Sequence, residues 1–397
     1  MKDREVMKMS SFAKKLLVVC LAMVMVFTFA ACGGSGEGGD SGENVLKIGC
    51  SGPLTGGALI YGNAVKKGAE IAVAEINESD PDFKVEFKME DDEADSEKAV
   101  NAYNQLKDWG MQMMMGTVTT GSCIATSALT FDDRVFELTP SASSADVTAG
   151  KDNVFQVCFT DPNQGVKAAD YLSENFEGKK VGAIYNYSDA YSTGVFNAFK
   201  AEFEAKGGDF VGAETYPDDT NADYSAQLTS LKSKGAEVVF LPIYYTPASV
   251  ILKQARDMNY APVFFGVDGL DGILDMEGFD KSLAEGLMLM TPFNPWSDDE
   301  TVSTFVEKYK AAYDGEVPNQ FSADGYDGVY ALYNAFKAAG LTPDMSNADI
   351  CDAMIAQFTG EFTYDGLTGS QMTWNEKGEV NKTPVVCKIE EGIYVDQ

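Results

Sequence analysis

Short apolar runs alternate with segments of helical length from Val45 onward, and this alternation is the strongest constraint on the fold. The apolar runs include VLKIGC, KVEFKME, KVGAIY and EVVFLPI, and the segments between them include NAVKKGAEIAVAEIN and TGVFNAFKAEFEAK. A strand that is followed by a helix and then by another strand builds a parallel sheet with helices on both faces. The sequence therefore predicts an α/β fold.

Two parts of the chain repeat one pattern. The segments MEDDEADSEKAVNAYNQLKDWGMQMMMGTV and TYPDDTNADYSAQLTSLKSKGAEVVFLPIY each contain paired aspartates, a helix, a glycine and an apolar strand. A chain of 397 residues is long enough for two domains. We therefore predict two Rossmann-like lobes with parallel sheets, joined by a multi-strand hinge. Lobe 1 is expected to contain residues 45–160 and about 290–360, and lobe 2 residues 161–289 and about 361–397.

The amino terminus has the pattern of a bacterial secretory signal. A basic segment precedes the apolar run Leu16–Ala31, which is shorter than the roughly 20 residues of a membrane-spanning helix. The small residues before Cys32 resemble a lipobox, although Phe29 stands where leucine is common. We expect residues 1–31 to be a lipoprotein signal peptide, Cys32 to be lipidated, and residues 32–44 to be a Gly/Ser-rich tether. The alternative is an ordinary signal peptide with an incidental cysteine.

Composition excludes several classes of protein. The formal net charge of −31 argues against a nucleic-acid surface, which needs clustered Lys and Arg. Histidine is absent, which removes His-dependent general-base chemistry and His-based metal sites. The acidic segment DDEADSE lacks the glycine and terminal glutamate of a calcium-binding EF-hand. We therefore expect no enzyme activity, no cofactor and no metal.

Polar loops follow the predicted strands at the edge where open α/β sheets bind ligands. These loops are rich in hydroxyls, glycines and tyrosines: SGPLTGGALIYGN, GTVTTGS, LTPSASSAD, YNYSDAYSTG, PIYYTPAS and GVDGLDG. The stretch GTVTTGSC, residues 116–123, stands where a strand gives way to a helix, and a helix amino terminus favours an anion. The alternative is that Thr120 and Ser122 only cap this helix.

These loops, in this order, resemble the type I periplasmic binding proteins. More narrowly, the chain resembles the branched-chain amino-acid (Leu/Ile/Val) family of ABC-transporter substrate-binding proteins. The likeness covers nearly the whole chain after the signal, and it also rests on the stretches DGYDGVYALYNAF and YDGLTGSQMTWNEKGE. It implies a ligand whose α-carboxylate and α-ammonium are bound between the two lobes.

The resemblance also implies roles for residues of lobe 1. Thr120, with the N–H groups of its turn, matches the hydroxyl residue that binds the carboxylate. Ser141 matches a position whose backbone serves the ligand, and Ser143 matches a hydroxyl that contacts the zwitterion. Tyr61 and Val118 match positions that line the side-chain pocket.

In lobe 2, Asp268 matches an acid for the ammonium group, where the family often has the longer glutamate. Tyr191 matches a tyrosine that closes over the ligand. Tyr244 and Tyr245 match a pair of tyrosines, one of which helps in this closure, and we prefer Tyr244. Phe321, in the part of the chain expected to return to lobe 1, is a further candidate for the pocket. The complete predicted binding set is Tyr61, Val118, Thr119, Thr120, Ser141, Ala142, Ser143, Tyr191, Tyr244 and Asp268.

The sequence thus predicts an extracytoplasmic receptor, lipid-anchored to the cell membrane. It would capture a branched-chain or other small apolar amino acid and deliver it to ABC permease subunits that a separate ATPase drives. The resemblance implies a monomer. Two alternatives remain open: the same fold binding urea, short amides or another class of amino acid, and a ligand-sensing receptor outside transport.

Overall fold

The computed structural model describes residues 44–81, 83–218 and 222–397. The predicted signal peptide, the tether up to residue 43 and the lipidation residue Cys32 lie outside this part of the chain. Within the described ranges, no helix is both long and apolar enough to span a bilayer.

The first sheet is entirely parallel, with the strand order β2-β1-β3-β4-β5. Its longest pair aligns Val45 with Lys84 and continues to Gly52 beside Asp91. Strands β3, β4 and β5 are buried along their whole length, as expected for a sheet with helices on both faces. The strands are β1 (Val45–Gly52), β2 (Lys84–Asp91), β3 (Met113–Met114), β4 (Phe136–Thr139) and β5 (Val154–Gln156).

The second sheet has the order β12-β11-β10-β9-β8-β6-β7. Strands β6 to β10 pair in parallel, whereas β11 and β12 come from the end of the chain and pair antiparallel at the β10 edge. Together the sheets confirm the predicted α/β fold with two mostly parallel sheets. The strands are β6 (Lys180–Asn186), β7 (Asp209–Tyr216), β8 (Val238–Leu241), β9 (Val263–Gly266), β10 (Met288–Thr291), β11 (Val385–Glu390) and β12 (Ile393–Asp396).

Helices flank both sheets, and several begin at an acidic or polar cap. Asp95 and Asp189, for example, each accept two backbone N–H groups at a helix start. The helices are α1 (Leu59–Ser79), α2 (Ser96–Trp109), α3 (Thr120–Asp133), α4 (Ala145–Thr148), α5 (Asp161–Asn175), α6 (Ala190–Ala205), α7 (Ser225–Lys234), α8 (Tyr245–Asp257), α9 (Glu300–Ala312), α10 (Gln320–Ala338) and α11 (Asn347–Phe358). Short 3₁₀ turns cover Asp268–Leu270, Ile273–Asp275 and Lys281–Ala284.

The chain crosses between the two sheets more than once. After β10 in the second sheet, helices α9, α10 and α11 pack on the first sheet, chiefly through α10 against α1. Residues 359–384, between α11 and β11, also contact the elements of the first sheet. The Trp374 indole donates to the Gln156 carbonyl (2.8 Å), and Asp327 of α10 accepts from the Leu367 amide (2.8 Å). Strands β11 and β12 then return to the second sheet. We call the part built on the first sheet (β1–β5), with α9, α10 and α11 packed on it, the first body. The part built on the second sheet (β6–β12) is the second body.

Candidate functional site

A small cavity lies at the carboxyl ends of the strands, between the two bodies, with a volume of about 20 Å³. Its wall contains most of the predicted binding residues and also Phe321. Ala142 and Ser143 are not part of the wall, and Gly269 is a wall residue that the sequence did not indicate. The wall residues are Tyr61, Val118, Thr119, Thr120, Ser141, Tyr191, Tyr244, Asp268, Gly269 and Phe321.

One side of the cavity is the amino terminus of α3. The first intrahelical bond is donated by the Cys123 amide to the Thr119 carbonyl (2.9 Å), so the amides before Cys123 precede the hydrogen-bonded part of the helix. No side chain of the described residues caps α3. The Thr119 hydroxyl is buried and has no hydrogen-bond partner among these residues, and the same holds for Ser122. The structure therefore disfavours the alternative in which Thr120 and Ser122 serve only as caps.

The loop after β4 completes this side. The Ser141 hydroxyl donates to the Val118 carbonyl (2.6 Å), and the Ala142 amide donates to the Thr139 hydroxyl (2.9 Å). These bonds fix the loop against the strand that leads to α3. The Ser143 hydroxyl is buried and lies beside the Asp161 carboxyl, but the two groups do not form a hydrogen bond of normal geometry. Burial, with the nearby charge of Asp268, raises the pKa of Asp161.

The opposite side carries Asp268, which is only 4% exposed. Its Oδ1 accepts from the Tyr191 hydroxyl (2.6 Å), which in turn accepts from the Gly269 amide (2.9 Å). Burial raises the pKa of Asp268 to about 7, although the Tyr191 hydrogen bond acts in the other direction. No lysine or arginine of the described chain lines the cavity. A cationic group in the cavity would therefore meet a buried carboxyl without competition.

Aromatic rings form the rest of the wall. Tyr61 packs edge-on against Tyr244 (ring centroids 5.4 Å apart) and tilted against Phe321 (4.2 Å), while Tyr191 stacks on Tyr244 (5.2 Å). Tyr244 is a wall residue and Tyr245 is not: the Tyr245 hydroxyl instead accepts from the Ile60 amide (3.2 Å). The geometry thus favours Tyr244, as predicted, as the ring that faces the cavity.

Several bonds near the cavity join the two bodies. The Tyr61 hydroxyl, on α1 of the first body, donates to the Gly269 carbonyl of the second (2.6 Å). The Thr246 hydroxyl donates to the Gly57 carbonyl (2.7 Å). An outer cleft of about 400 Å³ adjoins the cavity and shares Thr119 and Tyr244 with it. Larger clefts exist, including one of about 680 Å³ beside Phe131, but that cleft contains none of the predicted residues.

The acids and thiols of the described chain do not form a metal centre. No group of three or more His, Cys, Asp or Glu side chains there could hold a metal ion. The five cysteines that the structure describes are all buried free thiols. The chemistry of the cavity therefore rests on hydroxyls, backbone amides, one acid and aromatic rings.

Comparisons with known proteins agree with the observed fold. A family model described as periplasmic binding protein matches residues 45–392. The Leu/Ile/Val-binding protein homolog 3 of Brucella melitensis is 32% identical over 305 residues, which is 75% of this chain and 80% of that protein. The branched-chain amino acid transporter substrate binding protein LivJ of Streptococcus pneumoniae, in complex with isoleucine, superposes with a TM-score of 0.79 at 26% identity, covering 89% of this chain and 100% of that one. A solute binding protein of an ABC transporter from Rhodopseudomonas palustris, in complex with 3,4-dihydroxybenzoic acid, has a TM-score of 0.79 at 20% identity and covers 89% and 97% of the two chains.

Proposed function

Because the chain belongs to the periplasmic binding protein family, as its sequence predicted, we propose that it is the substrate-binding lipoprotein of an ABC importer. In this proposal it captures a branched-chain or other small apolar amino acid in the cavity between the two bodies. The observation that carries the proposal is the polarity of that cavity: a helix amino terminus on one side faces a buried acid on the other.

The helix side suits the ligand's α-carboxylate. The amides at the start of α3 and the buried hydroxyl of Thr119 supply donors that lack partners among the described residues. A helix amino terminus also carries partial positive charge, which favours an anion. In this arrangement Thr120 and Ser141 lie beside the carboxylate, on the first body.

The acid side suits the ligand's α-ammonium. Asp268 is buried, and its raised pKa reflects the cost of holding a charge there without a cation. An ammonium group would supply that cation and donate a charge-assisted hydrogen bond to the Asp268 carboxylate. A simple aromatic carboxylate, the ligand type of the Rhodopseudomonas protein, would leave Asp268 without a cation. The cavity therefore favours a zwitterion over a plain acid, and over urea or a short amide, which lacks the carboxylate.

The aromatic wall suits an apolar side chain. The cavity, at about 20 Å³, has room for little more than one water molecule, so an amino acid enters only if the bodies move apart. That movement breaks the bonds from Tyr61 to Gly269 and from Thr246 to Gly57, and the bodies then close around the ligand. The sequence of opening and closure is the hinge motion that the proposal requires.

The anchor and the transport partners complete the proposal. Cys32 would carry the lipid, residues 33–44 would form the tether, and the closed receptor would dock on a permease driven by a separate ATPase. Cys32→Ser should release the protein into the medium, which fractionation of cells and medium measures. If Cys32→Ser protein still sediments with membranes, the anchor is not at this cysteine.

Ligand-dependent thermal unfolding of the compact unit 44–397 tests the proposed function. A ligand at a hundred times its Kd adds about 2.7 kcal/mol to the free energy of unfolding, which raises Tm by a few degrees. We expect this shift with leucine, isoleucine or valine, and none with benzoate. A shift with urea or amides alone would replace the amino-acid assignment, and a shift with benzoate alone would contradict the role of Asp268.

A further inference from the structure

We infer that Gln320 and Asp271 are positioning residues for the proposed ammonium-binding acid: Gln320 holds the backbone of Asp268 to the first body, and Asp271 holds Gln320 in place. The inference rests on the proposed function and goes beyond it, because neither side chain lines the cavity. The inference is supported by the contacts of Asp271, which bonds polar groups of α10, β10 and β12 three residues after Asp268.

Gln320 connects the two bodies. It is the first residue of α10, which packs on α1 of the first body, and it is only 2% exposed. Its Nε2 donates to the Asp268 carbonyl (3.0 Å), which also accepts from the Asp271 amide (2.9 Å). The backbone of the proposed binding acid, which follows β9 of the second body, is thus tied to a helix of the first.

Asp271 fixes Gln320 from behind. Its carboxylate is fully buried and accepts from the backbone N–H of Gln320 (3.1 Å) and from the Tyr394 hydroxyl of β12 (2.6 Å). The Thr291 hydroxyl, at the end of β10, lies 3.2 Å from both Asp271 Oδ2 and Gln320 Oε1. A buried carboxylate with this many partners is an anchor point, because each of the three elements contributes a polar group to it.

The consequence for binding follows from geometry. A zwitterion that bridges α3 and Asp268 needs both of its charged ends at fixed positions, and a buried charge pair is favourable only when its geometry is good. Tyr191 holds the Asp268 carboxylate, but it does not restrain the distance between that carboxylate and the first body. Gln320 restrains this distance through the Asp268 backbone carbonyl.

A matched pair of glutamine variants tests the inference in the unit 44–397. Gln320→Met keeps the side-chain length and removes the side-chain hydrogen bonds to Asp268 and Thr291, while the backbone N–H that bonds Asp271 remains. The control is Gln112→Met: Gln112 is also buried, accepts from the Lys47 amide (2.8 Å) and donates to the Pro343 carbonyl, but it lies away from the cavity. We expect similar losses of Tm in both variants. Only Gln320→Met should weaken L-leucine binding, by about tenfold, the effect of one lost hydrogen bond.

A matched pair of acid variants tests the second step. Asp271→Asn should weaken L-leucine binding, whereas Asp327→Asn, at a buried acid that accepts from the Leu367 and Thr368 amides, should lower only stability. The double variant Gln320→Met/Asp271→Asn should bind no more weakly than the worse single variant, since both act through one backbone position. If Asp271→Asn does not fold, Tyr394→Phe removes one of its donors and should weaken binding in the same direction.

The outcomes separate this inference from the proposed function. If Asp268→Asn loses L-leucine binding but Gln320→Met binds as tightly as wild type, the positioning role is wrong and the proposed function stands. Equal loss of affinity in Gln320→Met and Gln112→Met also overturns the positioning role, because it marks a general effect of instability. If the wild-type unit binds no amino acid by calorimetry, the proposed function is wrong and this inference falls with it.

Discussion

Replacing Asp268 by asparagine is the sharpest perturbation of the proposed site. The substitution keeps the size of the side chain and an oxygen that can accept from Tyr191, which now bonds Oδ1 at 2.6 Å. It removes the only charge in the cavity wall. Any loss of affinity for an amino acid therefore reports on the charge and not on the shape of the cavity.

The expected magnitude follows from burial. Removing one partner of a buried, hydrogen-bonded charge pair costs about 2–5 kcal/mol. Because asparagine still offers an acceptor to the ammonium group, we expect the lower half of this range, or about a 100-fold weaker Kd for L-leucine. A loss below about threefold would show that Asp268 does not bind a cation.

The pH dependence gives an independent check of the same charge. Asp268 must be ionised to pair with an ammonium group, and burial raises its pKa to about 7 before the ligand is bound. A proton therefore competes with the ligand below pH 7, and affinity should fall about tenfold per pH unit from there to about pH 5. Above about pH 8 the affinity should be constant, and Asp268→Asn should lose most of the slope.

Isothermal calorimetry with L-leucine between about pH 5 and about pH 9 measures both the loss of affinity and the pH dependence. The matched control is Glu137→Gln, because burial raises the pKa of Glu137 to about 7 as well, yet this residue bonds Thr130 and Cys123 and is not in the cavity wall. Glu137→Gln should keep the wild-type affinity and slope. A slope that survives in Asp268→Asn but disappears in Glu137→Gln would refute the assignment of the ammonium site.

Three further predictions concern stability. Burial raises the pKa of both Glu137 and Asp271 to about 7, above the value of about 4 in an unfolded chain, so the folded form binds more protons between these values. The free energy of unfolding in urea should therefore fall from pH 5 to pH 8, and a rise would contradict the burial of these acids. Lys382 and Asp324 form an ion pair whose side chains are 1% and 3% exposed, so Lys382→Met should lower the free energy of unfolding by about 3–5 kcal/mol, and the added change Asp324→Leu should restore most of it. A methyl group at Gly68 of α1 would lie 1.8 Å from the Ser322 carbonyl oxygen of α10, so Gly68→Ala should lower the free energy of unfolding by at least about 1–3 kcal/mol. The control is Gly57→Ala, where a methyl group meets nothing within 4 Å and stability should not change. Equal urea midpoints for the two variants would refute the close packing.

The sequence carried enough information for the fold and for most of the cavity wall. Alternating strands and helices predict parallel sheets, and the carboxyl ends of parallel strands converge, so Thr119, Ser141 and Asp268 were expected at one edge. The sequence alone does not separate Tyr244 from Tyr245. They are adjacent at the start of α8, and a helix that began one residue earlier or later would exchange their directions.

The residues behind the wall left no local pattern. Gln320 and Asp271 are far apart in sequence, and their contact exists only because the chain crosses from one body to the other. The resemblance places Ser143 at the ligand, but Ser143 is not a residue of the cavity wall, and its buried hydroxyl lies beside Asp161. Its neighbour Ala142 is also outside the wall. A loop sequence indicates which side chains are near a site, and only the backbone path decides which of them face it.

The return of β11 and β12 to the second sheet governs how this chain can be made. Thr291 of β10 pairs with Val385 of β11, which is synthesised after α9, α10 and α11. The second sheet therefore cannot be completed until these three helices have been made. Contacts between such distant segments slow folding. In an exported chain, all five strands of the first sheet would emerge early. The second sheet would lack β11 and β12, so the β10 edge would stay exposed until the last residues emerge. We therefore expect chaperone dependence and sensitivity to proteolysis to be greatest in nascent chains that end before β11.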